Sequence, residues 1–137
     1  MRNYDLALRF ASGKTTGTGS HIFIEGNTIY SYGYHFPIAI RLKDNIYLFN
    51  SRGYSFTTLK HKSYIKTALS SNTIIEILDC DINKKDEQIK YNLEEIKEIK
   101  EKITRARSKN RIFYYKSRIA YLKEQNKLLR RLKWKKK

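Results

Sequence analysis

The spacing of apolar residues changes period twice along this chain, and each change marks a different kind of element. Over residues 3–11, Leu6, Leu8, Phe10 and Ala11 recur at helical intervals behind Asn3 or Asp5, either of which can cap a short helix. Residues 12–20, Ser-Gly-Lys-Thr-Thr-Gly-Thr-Gly-Ser, have the composition of a flexible connector. From His21 the period becomes two. His21–Glu25 and Thr28–Phe36 flank Gly26-Asn27, a two-residue hairpin turn. Pro37 interrupts the ladder. Ile38, Ile40 and Leu42 then alternate with Ala39 and Arg41, and Lys43-Asp44-Asn45 turns into a strand at Ile46–Asn50. Ser51-Arg52-Gly53 reads as a further turn into Tyr54-Ser55-Phe56. Thr57 or Thr58 is placed to cap a helix to about Ser70, with Leu59, Tyr64, Ile65, Ala68 and Leu69 as its apolar face, and Thr73–Leu78 reads as one more strand.

Beyond Ile82 the period lengthens again and neither Pro nor Gly occurs. Ile82, Ile89, Ile96 and Ile103 fall seven apart, with Ile99 and Ala106 filling the seam and Leu93 widening it. A second series, Ile112, Tyr115, Ile119, Leu122, Asn126 and Leu129, is out of phase with the first. The phase breaks within residues 107–110, where Ser108 or Asn110 is suited to cap a new helix. An antiparallel helical hairpin explains the break better than one long helix with a stutter. The fold expected is therefore α+β: a small antiparallel β-meander with packed helices over residues 1–80, then a coiled-coil-like helical hairpin arm over 82–137.

Charge singles out the second part. Residues 104–137 contain fourteen Lys or Arg and one acid, Glu124, and carry +13 of the formal net charge of +16. Such crowding repels itself unless a polyanion faces it. Six of these cations are arginines, whose planar fork suits phosphate, and Phe113, Tyr114, Tyr115, Tyr121 and Trp134 are interleaved with them. The residues assigned to polyanion contact are Arg105, Arg107, Arg111, Arg118, Lys123, Lys127, Arg130, Arg131, Lys133 and Lys135. A plain solvated face is the alternative. Tyr30, Tyr32, Tyr34 and Phe36 would share one face of a long strand, either as half of a core or as a base-stacking row. Tyr32, Tyr34, His35 and Arg41 form a possible second surface.

Catalytic and metal-binding signals are weak. Gly13-Lys14-Thr15 lacks the preceding glycine and strand of a phosphate loop, because Leu8 stands where that glycine is needed. His35 and His61 titrate in a useful range and could serve an RNase-like hydrolase, but nothing in their spacing joins them. The acids are scattered without ligand spacing, and one cysteine, Cys80, excludes an internal disulfide. Asp79 and Asp81 beside it would raise its thiol pKa. No enzyme class, metal or cofactor is expected. The N-terminus shows no secretory pattern and no apolar run would span a membrane, so the expected location is the cytoplasm of a host cell.

Ile29-Tyr30-Ser31-Tyr32-Gly33-Tyr34-His35-Phe36-Pro37-Ile38-Ala39, followed by Arg41, resembles the central motif of a domain of unknown function found in short proteins of bacteriophages and other mobile elements. Phe23-Ile24-Glu25-Gly26, Gly53-Tyr54-Ser55 and Thr58-Leu59-Lys60-His61 match its flanking patterns, so the resemblance covers roughly residues 3–70. It implies a mobile-element setting and no activity. The function expected is non-catalytic binding of nucleic acid or a host nucleoprotein complex through the basic helix. A protein-directed inhibitor of a host defence nuclease (anti-CRISPR-like) or of host transcription is the alternative, its cations facing an acidic protein surface. The apolar residues of the second arm helix are needed for packing on the first, which leaves few for binding a membrane surface, and Asn126 at a seam position allows a homodimer.

Overall fold

Helix α1 (Asn3–Ala11) buries Leu6, Ala7 and Phe10, while Leu8 faces solvent. Asn3 does not cap it. Arg2 holds that position, and the Asn3 amide reaches across to Ser20 instead, its Oδ1 accepting from the Ser20 amide at 2.8 Å. The computed structural model describes residues 2–34, 36–52 and 56–132, which fall into two compact units, Met1–Asp81 and Ile82–Lys137. His35, Gly53-Tyr54-Ser55, Lys133, Trp134 and Lys135 lie outside the described residues.

The first unit is built on a six-stranded sheet in the order β1 (Thr16–Thr18), β2 (Ile22–Glu25), β3 (Thr28–Ser31), β4 (Pro37–Lys43), β5 (Ile46–Asn50) and β6 (Thr73–Ile77). Strands β2 to β5 form the expected antiparallel meander, and β1 adds to its edge beside β2; β6 pairs parallel with β5 across helix α2 (Phe56–Ala68). A parallel pair needs such a crossover, and the helix begins at Phe56, where the sequence suggested a strand. Asn50 fastens the far end of this crossover. Its side chain, fully buried, donates to Pro37 O and accepts from the amides of Arg52 and Asp79. Side chains from α1, α2 and one sheet face meet in a core that includes Phe10, Ile22, Ile29, Ile38, Phe49, Ile65 and Leu69.

Two expectations from composition give way here. The connector 12–20 is not slack: β1 pairs with β2, and its glycines are pressed on by α1. A Cβ on Gly19 would lie 2.5 Å from Asn3 Oδ1 and 2.9 Å from Ile22 Cγ2. Replacing Gly19 by Ala is therefore expected to destabilise this unit by about 1–3 kcal/mol through overpacking, measured as a lower urea midpoint. An unchanged midpoint would mean that the connector yields freely. The long strand 28–36 also stops early. Tyr32 adopts φ 64°, which ends β3 at Ser31 and breaks the alternation on which a single aromatic face depended.

The second unit is the expected helical hairpin: α3 (Lys85–Arg105) and α4 (Lys109–Arg131), joined by residues 106–108. Ser108 caps α4, its Oγ accepting from the Arg111 amide. Contacts of Lys85 with Leu132 O, of Asn92 with Asn126 and of Glu95 with Arg118 fix an antiparallel register. Ile96, Ile99, Ile119 and Leu122 form its apolar core. Towards the N-terminal end of α3 the seam is polar. Buried Gln88 donates to Asn92, Asn92 donates to Asn126 Oδ1 at 2.9 Å, and Asn126 Nδ2 is buried with no partner among the described residues. Leu93 is exposed on α3 rather than widening the seam.

Candidate nucleic-acid interface

An α-helix returns to within about 20° of its starting direction every seven residues. Lys109, Lys116, Lys123 and Arg130 are seven apart and all exposed, so they form one stripe along α4, with Lys127 set between the last two. Successive members are roughly 10.5 Å apart along the axis at 1.5 Å per residue. Ile119, Leu122, Gln125, Asn126 and Leu129 point the other way, into the seam. The seam thus decides where the cations go: packing takes the apolar side and leaves the basic residues exposed, with Glu124 the one acid on α4.

At the turn of the hairpin Arg105, Arg107 and Arg111 are exposed beside Lys109. No ion pair joins Arg105, Arg107, Lys109, Arg111, Lys116, Lys123, Lys127, Arg130 or Arg131 to an acid among the described residues. Arg118 differs. It is half-buried, forks onto Glu95 with 2.8 Å and 3.4 Å bonds and lies over the Tyr121 ring, so its cation helps to hold the two helices together. Lys109 and Lys116 are the stripe members that the sequence reading missed. Their heptad spacing from Lys123 and Arg130 was the signal, obscured by the weight given to arginines.

The described residues proposed for a second surface, Tyr32, Tyr34 and Arg41, are not brought together. Arg41 donates to Phe10 O at the C-terminal end of α1 and to the Tyr47 hydroxyl at 3.1 Å, with its guanidinium over both rings. Tyr34 packs edge-on against Phe23 and Tyr30, and its hydroxyl donates to Glu25, whose acceptor and charge push the phenol pKa up. Tyr32 stacks on His21 at 4.9 Å, near His61 and Asn3 and so at the N-terminal end of α1.

His61 belongs to the core. It is 2% exposed, taking a place on the inner face of α2 that the apolar pattern had given to Leu59. Its Nδ1 lies 2.9 Å from Ser31 Oγ and its Nε2 3.3 Å from Asn3 Nδ2. The Ser20 backbone orients the Asn3 amide, since Oδ1 accepts from Ser20 N and Nδ2 faces Ser20 O. Asn3 Nδ2 is thus the donor to Nε2, which puts the imidazole proton on Nδ1, pointing at Ser31 Oγ. A ring in that state cannot draw a proton from the serine at Nδ1, so this is a neutral hydrogen-bonded strut between α1, α2 and β3 rather than an activated nucleophile.

Burial, and then the neighbouring His21, lower the His61 pKa. The unfolded chain binds the proton more readily, so the stability this site provides is complete above the ordinary histidine pKa, about 6.5, and declines as pH falls below it. The unfolding free energy of the sheet unit, from urea titration read by near-UV dichroism, is expected to fall between pH 7.5 and 5.5 by at most about 1.4 kcal/mol per pH unit from this group. His61→Gln should flatten that dependence. A midpoint indifferent to pH in the unsubstituted protein would contradict the assignment.

Cys80 is buried, and burial followed by the Asp79 charge pushes its thiol pKa far up. Among the described residues no three His, Cys, Asp or Glu side chains cluster as metal ligands, and no helix is long and apolar enough to cross a membrane. No family model, curated protein or solved structure matches this chain. The basic face of the hairpin is the most developed candidate site.

Proposed function

We propose that this protein is a non-catalytic binder of nucleic acid, alone or within a nucleoprotein complex, acting through the outer face of α4 and the hairpin turn. The observation that carries the reading is a set of nine exposed cations unmet by any acid among the described residues, seven of them along α4 and two, Arg105 and Arg107, at the hairpin turn. Counter-ion release from phosphates would dominate the affinity and make it fall steeply with salt. The mobile-element setting implied by the resemblance at residues 3–70 makes a host nucleoprotein complex a reasonable target, and inhibition a reasonable outcome. Binding to duplex DNA, single-stranded DNA and RNA at low salt, against a charge-matched polyanion lacking bases, tests the first statement. No excess over that control would remove it. Capture from host lysate with and without nuclease digestion separates contacts to nucleic acid from contacts to protein.

A further inference from the structure

Phe113 is the most exposed large apolar side chain among the described residues, at 74%, and Tyr114 beside it is 63% exposed. Neither belongs to the seam, where Ile119, Leu122 and Leu129 do the packing. Phe113 lies on the side of α4 away from that seam, beside the basic stripe. Lys109 is four residues before it and Lys116 three after it, the spacings at which helical side chains are neighbours. Arg105, Arg107 and Arg111 are exposed close by, and no acid occurs from residue 102 to residue 123.

A solvating face has no use for a bare phenyl ring, and groove readout of a duplex rests on polar and cationic side chains. A ring framed by cations matches the chemistry of an unpaired nucleotide, with an aromatic base to stack on it and phosphates on either side. Resting on the reading that the arm binds nucleic acid, we infer that Phe113, assisted by Tyr114, is a stacking platform for unpaired bases. The substrate class of the arm is therefore single-stranded nucleic acid, held at the hairpin turn by Lys109, Arg111 and Lys116.

The test is fluorescence anisotropy with the full chain and five probes: an unstructured single-stranded RNA, the DNA of the same sequence, a duplex, inorganic polyphosphate, and anionic phosphatidylserine vesicles. Phe113→Ala is compared with Lys116→Gln, and helicity is checked by circular dichroism. Expected for Phe113→Ala is about a ten-fold loss on single strands with unchanged salt dependence, and no change on duplex or polyphosphate. Lys116→Gln should instead weaken binding to all polyanions and lower the salt slope. The two single-strand probes show whether the sugar matters to the platform. Equal losses on duplex and single strand, or no loss on either, would overturn the stacking assignment while leaving the basic stripe intact. Loss confined to vesicles would replace it with a lipid contact. No binding of the unsubstituted protein to any nucleic acid would remove this inference and the proposed function together.

Discussion

Replacing Lys109, Lys116, Lys123, Lys127 and Arg130 together by Gln is expected to weaken single-strand binding by about three orders of magnitude at 0.1 M salt. The reason is counter-ion release. Each phosphate neutralised contributes about −0.7 to the log–log salt slope on single strands, so five lost contacts flatten it by about 3.5. Stability should hardly move, because all five side chains are exposed and Gln is nearly as good a helix former as Lys or Arg. Relief of self-repulsion would even raise it slightly. Affinity and slope measured by salt titration, with thermal unfolding as control, decide the matter. A slope unchanged in the five-fold variant would show that the stripe does not touch phosphate.

Arg41→Ala is expected to give the opposite pattern, a loss of about 2–3 kcal/mol in stability with no loss of affinity. Its guanidinium joins the C-terminal end of α1 to β4 and β5 through Phe10 O and the Tyr47 hydroxyl, and it covers both rings. Hydrogen bonds from a charged group contribute about 1.5–3 kcal/mol and the ring contacts about 0.5–2, not fully additively. Reactivity of the single buried thiol of Cys80 in native buffer reports opening of the sheet unit without interference from the arm. It should rise about thirty-fold or more at 2 kcal/mol if opening is fast relative to labelling. An Arg41→Ala protein with wild-type thiol protection and diminished binding would restore Arg41 to a functional surface.

The contrast between the basic stripe and Arg41 shows what the pattern of residues could and could not reveal. Strands β2 and β5, the Gly26-Asn27 turn, the sixth strand and both arm helices with their break were readable, because periodicity and turn chemistry are local. The parallel pairing of β6 was not, since it depends on where α2 delivers the chain. Tyr32 could not be foreseen either: alternation persists through Phe36 in the sequence, while the backbone turns at φ 64°. The seam of α3 was misplaced at its first turns because Gln88 and Asn92 are invisible to a search for apolar residues. In the candidate site, total charge was legible, but the division of labour was not. Arg118 reads as a free cation by composition and is paired with Glu95, whereas Lys109 and Lys116 carry the stripe.

The order of strands has a kinetic consequence. Strands β1 to β5 each pair with their sequence neighbour, so five elements can zip together through short loops at little entropic cost. Strand β6 can join only when Phe56–Ala68 has coiled and docked, because its register with β5 is set from the far side of that helix. The last edge of the sheet is therefore expected to close late, as a latch on the hairpin stack. A chain emerging from the ribosome would meet these steps in the same sequence in which they become possible.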